Sequence, residues 1–251
     1  MRTNDANLAA RLVAAGAALG LLLGAAAAAR AHGSAPHGPA AHAPASGAID
    51  FPGGARFDFE VPAPGTYRLP VIREAADGAV LDARGKRRRL RQVMDGRITV
   101  LSFVYTRCAD PNGCPLATSV LHRVLRASLE DAELARHLKL VTLSFDPEHD
   151  TPAVMARYAG PLIRGGAPWE FLTTASPRDV APILRGYGQV VDGPSRHSPL
   201  LTHLLRVYLI DAQGRVRNIY GLDFLDPRLV LADVRTLLLE AGELAAREAR
   251  R

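Results

Sequence analysis

Two windows of the chain are apolar or β-branched at nearly every position: RITVLSFVY, residues 97 to 105, and LKLVTLSFD, residues 138 to 146. Runs with no alternating polar face predict strands buried on both sides. Between them, PLATSVLHRVLRASL (115 to 129) repeats Leu116, Val120, Val124 and Leu121 at helical spacing. Pro115 suits the first helical position, which leaves Cys114 at or beside the N-cap. A short strand is predicted over GTYRLPVI (65 to 72), and the polar loop DPEHDTP offers Asp150 or Thr151 as cap for a helix from Pro152. Further along come a strand at WEFLT (169 to 173), a helix from Pro177 to Tyr187 and a strand LLRVYLID (204 to 211). An AQG turn, a strand RVRNIYG (215 to 221) and a last helix from about Asp226 to Glu248 close the pattern.

Strand alternating with helix, then a hairpin and a terminal helix, predicts an α/β sandwich with a mixed central sheet. The order is that of a thioredoxin-like fold with an N-terminal strand extension. The region before it reads differently. Arg2 and Arg11 precede an apolar run from Leu12 to Ala29 and the small-x-small signal Ala29-Arg30-Ala31. Residues 1–31 are thus a secretory signal peptide or a membrane anchor, and both readings place the rest outside the cytoplasm, in or facing the periplasm. HGSAPHGPAAHAPASGA (32 to 48) holds no large apolar residue and reads as a flexible linker, with His32, His37 and His42 able to hold a metal weakly. Residues 49–251 are the folded domain.

The net charge of +6, with 29 Arg against 2 Lys, does not imply a nucleic-acid partner in an exported chain. The densest cluster, Lys86-Arg87-Arg88-Arg89 with Arg91, reads as a solvated basic loop, with an anionic membrane face as its alternative.

The only two cysteines, Cys108 and Cys114, stand five residues apart in RCADPNGCPLA. The first lies just past a central strand and the second at the next helix start, at the carboxyl edge of the sheet, where open α/β sheets keep their sites. The helix N-terminus and Arg107 are both expected to lower the thiol pKa values. Asp110-Pro111-Asn112-Gly113 is a turn signal, with Gly113 free to take positive φ. A purely structural disulfide here would close so short a loop that it adds only roughly 2 kcal/mol. A redox pair and two legs of a metal site both remain open.

FVYTRCADPNGCPLA, VTLSFDPEHDTP (141 to 152) and THLLRVYLID (202 to 211) occur in an order that resembles the Sco/SenC family, over residues 66 to 239. The resemblance implies a thioredoxin-like fold, export or membrane anchoring, and one copper ion held by two cysteines and a distant histidine. It further implies service in assembling the dinuclear copper centre of cytochrome c oxidase, with the apo copper-binding subunit or another exported copper protein as partner. Carried onto this chain, the ligands are Cys108, Cys114 and His203. Two thiolates and an imidazole suit Cu(I) and still accept Cu(II). This chain departs from the family's C-x3-C in having C-x5-C.

His197 is the reserve ligand; His149 reads as surface, and His122 and His137 as helix-face residues. Asp146 and Asp150 can orient the site, although capping accounts for Asp150, and Asp110 reads as a turn former. The rival function is a thiol-disulfide oxidoreductase using Cys108 and Cys114 as its redox pair, for which exchange needs one accessible and one resolving sulfur. A peroxide-reducing thiol enzyme rests on fold analogy alone.

Overall fold

A computed structural model of the chain describes residues 59–163, 167–193 and 201–250. The signal or anchor (1–31), the linker with His32, His37 and His42, and the reserve ligand His197 lie outside the described residues. Among the described residues no helix is long and apolar enough to cross a membrane.

In chain order the elements are β1 (Arg73–Glu74), β2 (Ala79–Asp82), β3 (Arg87–Arg89), α1 (Leu90–Met94), β4 (Ile98–Val104), α2 (Cys114–Leu129), α3 (Ala132–His137) and β5 (Leu138–Ser144). Then follow α4 (Pro152–Ala159), β6 (Trp169–Thr173), α5 (Pro177–Tyr187), β7 (Val191–Asp192), β8 (Thr202–His203), β9 (Val207–Ile210), β10 (Arg215–Tyr220) and α6 (Pro227–Glu248). Eight strands form one mixed sheet in the order β1-β10-β9-β4-β5-β6-β2-β3, and β7 pairs with β8 in a separate ribbon.

β4 and β5 run parallel in register from Ile98↔Leu138 to Val104↔Ser144, and every residue of both is buried. Helices on both faces account for this. One face of the sheet carries Val100, Leu140, Phe171 and Leu209 against Leu116, Val120, Leu121 and Val124 of α2 and Val230 and Val234 of α6. The opposite face carries Leu101, Phe103, Val141 and Tyr208 against Leu90 and Val93 of α1 and Ile183, Leu184 and Tyr187 of α5. Inside β4 and β5, Ser102 and Thr142 hydrogen-bond at 2.9 Å, and the Trp169 indole N–H donates to Thr142 Oγ1 at 2.9 Å. β5 also runs parallel to β6, so the carboxyl ends of β4, β5 and β6 share one edge.

Three expectations need correction. No strand spans residues 65 to 72: Gly65 turns at φ 80° and Pro70 lacks a ladder donor, so bonding to β10 begins only at Ile72, whose N–H donates to the Val216 carbonyl at 2.9 Å, and the strand at Arg73. The strand predicted over 204 to 211 is confined to β9, and the residues just before that window, Thr202 and His203, form a separate strand paired with Asp192 and Val191. The basic stretch is not a loop. Arg87–Arg89 is an edge strand paired with β2, where charged side chains block further pairing. Arg88 reaches Glu170 at 3.4 Å and Arg89 reaches Asp77 at 2.6 Å.

At the edge remote from the cysteines, Asp211 closes the β9–β10 turn. Its Oδ1 accepts from the backbone N–H groups of Gln213 (3.1 Å) and Arg215 (2.9 Å), and its Oδ2 from Arg215 Nε (2.8 Å) and Arg217 Nη1 (3.1 Å). Arg217 in turn donates to the Leu69 carbonyl and to Glu240, fastening the N-terminal segment to α6. Burial by itself raises the Asp211 carboxyl, but the hydrogen bonds from Arg215 and Arg217 outweigh it and hold the group below 3.8. A depressed carboxyl stabilises the fold at pH above its unfolded value and loses that contribution as pH falls through the folded one. Asp211→Asn is therefore expected to cost about 3 kcal/mol at pH 7. In urea unfolding, its deficit against the native protein should shrink as pH is lowered below 3.8. A deficit that stays constant with pH would contradict this account.

Candidate metal centre

At the carboxyl end of β4 the chain turns sharply. The Cys108 N–H donates to the Tyr105 carbonyl (3.2 Å), and Asp110 accepts from the Asn112 N–H through its side chain (3.0 Å) and from the Gly113 N–H through its carbonyl (3.0 Å). Gly113 caps α2 with φ −98°, so positive φ is not what it supplies. A Cβ on it would stand 3.2 Å from Cys108 Sγ, and its bare backbone is what lets that sulfur lie close. Cys114 is the first residue of α2, ahead of Pro115.

Both cysteines are free thiols, Cys108 half-buried and Cys114 only 1% exposed. His203 reaches them from β8. Its Nε2 lies 3.6 Å from Cys114 Sγ, and its Nδ1 lies 3.1 Å from the Leu204 carbonyl. A carbonyl only accepts, so Nδ1 carries the proton and Nε2 turns its lone pair to the thiol. Burial lowers the His203 pKa below 6.5 against smaller raising contributions from Leu204 and Asp110, which favours the neutral, ligating imidazole. Phe145 packs against the ring at 4.6 Å between centroids and Tyr105 at 6.3 Å.

The expectation that the helix N-terminus and Arg107 lower both thiols fails at Cys114. Burial pushes this thiol far up, and the neighbouring Cys108 adds to the effect; main-chain hydrogen bonds only partly offset it. Arg107 does not help, because its guanidinium donates to Asp146 Oδ2 at 2.7 Å. Asp150 also differs from expectation. Thr151 is the residue that caps α4, accepting from the Val154 N–H at 3.4 Å. Asp150, wholly buried, accepts from the Thr106 N–H (3.0 Å), Thr106 Oγ1 (2.5 Å) and Ser144 Oγ (2.5 Å). It thereby ties the start of the cysteine loop to the end of β5. His149 is exposed, and His122 and His137 sit on α2 and α3.

The fold thus brings Cys114 and His203 into contact, with the Cys108 sulfur near enough to interact with the Cys114 thiol. Among the described residues no set of three or more His, Cys, Asp and Glu side chains is already closed around a metal position. The donors do fit a soft ion: two sulfurs and an imidazole lone pair, walled by Tyr105 and Phe145. These two aromatic walls went unassigned in the sequence, where their only signal was an aromatic residue at the end of each central strand.

The family profile described as SCO1/SenC matches residues 78–239. Of the curated relatives, the mitochondrial Protein SCO2 homolog of Bos taurus is 29% identical over 161 residues, covering 61% of this chain and 58% of that protein's length. The solved structure of Bradyrhizobium japonicum ScoI with copper bound superimposes with a TM-score of 0.53 at 26% identity, over 64% of this chain and 98% of that one. Arabidopsis thaliana ScoI with copper bound gives a TM-score of 0.57 at 23% identity, over 66% and 98%. The fold is the thioredoxin-like sandwich of these proteins. The family profile spans residues 78–239, a stretch that holds both cysteines, His203 and strands β2 to β10, and the chain belongs to the SCO1/SenC family.

Proposed function

We propose that this protein is a copper metallochaperone that carries one copper ion on Cys108, Cys114 and His203. The observation that carries the reading is the pairing of Cys114 with His203, whose Nε2 lone pair faces the sulfur at 3.6 Å while Nδ1 is occupied. The copper-bound ScoI structures with the same fold support it. Cys108 supplies the third donor by turning about the 109–113 loop, and both thiols give up their protons when copper enters. Three donors leave a position open for a ligand of the acceptor, which we take to be the apo copper-binding subunit of cytochrome c oxidase or another exported copper protein. We place the chain in the periplasm, free or held at the inner membrane by residues 1–31.

Anaerobic titration of the reduced protein tests this. One tight equivalent of copper with thiolate-to-copper charge transfer is expected, and His203→Ala, which removes a donor, should weaken it by more than about 100-fold. Stoichiometric binding untouched by His203→Ala defeats the assignment.

A second reading, thiol-disulfide oxidoreductase, draws on the half-buried Cys108 beside the buried Cys114, the arrangement of an attacking and a resolving sulfur. The LTHLLRV stretch has no proline at the position where thioredoxin-type reductases present their substrates. A reductase has no need of His203, so disulfide exchange that survives His203→Ala while copper binding is absent favours this second reading.

A further inference from the structure

His203 does not stand on the eight-stranded sheet at whose edge the cysteines lie. It stands on a ribbon of two residues per strand, β7–β8, that shares no ladder with the eight-stranded sheet. So short a hairpin does not hold its own position. Beyond the ends of its strands, Arg206 Nη1 donates to the Gly188 carbonyl at 2.6 Å. Tyr105, the residue after β4, also meets it: the phenol O–H donates to the Leu201 carbonyl at 3.1 Å, two residues before His203. The Tyr105 ring also stands edge-on to the imidazole, at 78° and 6.3 Å, and packs on Phe145 at 5.2 Å. Tyr105 is 4% exposed and lies three residues before Cys108, so one side chain, rooted just past β4 at the start of the cysteine loop, is bonded to the histidine ribbon.

We infer that Tyr105 is a positioning residue that latches the histidine ribbon onto the cysteine edge through its hydroxyl, setting how long His203 remains within reach of the Cys114 sulfur. The part of this inference that concerns copper rests on the function proposed above; the part that concerns the ribbon does not. Tyr105→Phe removes only the hydroxyl and keeps the ring, so the pocket wall and the fold remain; because that hydroxyl also interacts with the Cys108 thiol, exchange at the ribbon in the metal-free protein is the deciding readout. Tyr67→Phe is the control, since the Tyr67 hydroxyl donates to Asp233 (2.5 Å) on α6 and takes no part in the ribbon.

Two readouts separate the latch from the copper reading. The first is amide hydrogen exchange at residues 202 and 203 in the reduced, metal-free protein. The second is release of one equivalent of bound Cu(I) to a chelator. Tyr105→Phe is expected to speed both about fivefold, the equilibrium value of one net hydrogen bond, while Tyr67→Phe changes neither. Unchanged exchange in Tyr105→Phe overturns the latch whatever the release rate does, and so does an equal acceleration in Tyr67→Phe, which would mark a global loosening. If the native protein retains no copper yet exchange in Tyr105→Phe is faster, the latch stands and the copper reading falls.

Discussion

Cys114→Ser is expected to lower copper affinity by more than about 100-fold while the protein still folds. Groups one layer behind a metal ligand are worth 10–100-fold in affinity, and loss of a donor itself exceeds that. The exchange replaces a soft, polarisable sulfur by a hard oxygen of nearly the same shape. The site around it changes little, because Cys114 is 1% exposed, starts α2 and faces His203 Nε2, which accepts the new hydroxyl. The cost in stability should therefore stay within about 1.5 kcal/mol. Competition between the protein and a Cu(I) chelator, with a thermal melt of the same sample, measures both quantities. A serine variant that competes as well as the native protein removes Cys114 from the ligand set. One that is unfolded assigns the cysteine to the core rather than the metal.

Asp150→Ala should act through the fold. Its carboxylate is wholly buried and accepts three hydrogen bonds, two from Thr106 and one from Ser144. Removing it strands a backbone N–H and two hydroxyls inside the protein, each costing about 1–3 kcal/mol when left without a partner. Local rearrangement recovers some of this, leaving an expected loss of about 4 kcal/mol, or a fall in Tm of about 10 °C for a domain of this size. Because Thr106 precedes Arg107 and Cys108, the same change should raise hydrogen exchange in the cysteine loop before the rest of the sheet. A Tm within about 2 °C of the native value would mean that water replaces the carboxylate, and that the loop is held elsewhere.

Much of the scaffold could be read directly. β4 and β5 were plain because their windows are apolar on both faces, which only burial between helix layers explains. α5 was bracketed by its own ends: Ser176 Oγ accepts from the Asp179 N–H (3.3 Å), and Gly188 takes φ 66°. β2, β3 and α1 were not legible. They are short, at three to five residues each, β3 is all arginine, and β2 forms because β6 offers it a partner about 90 residues further along. The two cysteines announced themselves by their spacing, whereas His203 came through family resemblance. Its contact with Cys114 spans 89 positions of sequence. The acidity of Cys114 was misjudged for the same reason. Helix dipole and neighbouring arginine are local and visible in sequence, while burial and the Arg107–Asp146 pairing are properties of the folded chain.

The buried indole bonded to Thr142 has an experimental use. Trp169 is the only tryptophan in the chain and is 3% exposed. It lies at the start of β6, opposite Leu140, so four residues of β5, roughly 13 Å of strand, separate it from the edge at Ser144 where the cysteine loop is tied. Its emission therefore reports on the folded core with a single, unmixed signal: blue-shifted while Thr142 and the sheet enclose it, red-shifted once water reaches the ring. Every variant proposed for the cysteine edge can be checked for integrity by this native fluorophore, without a label.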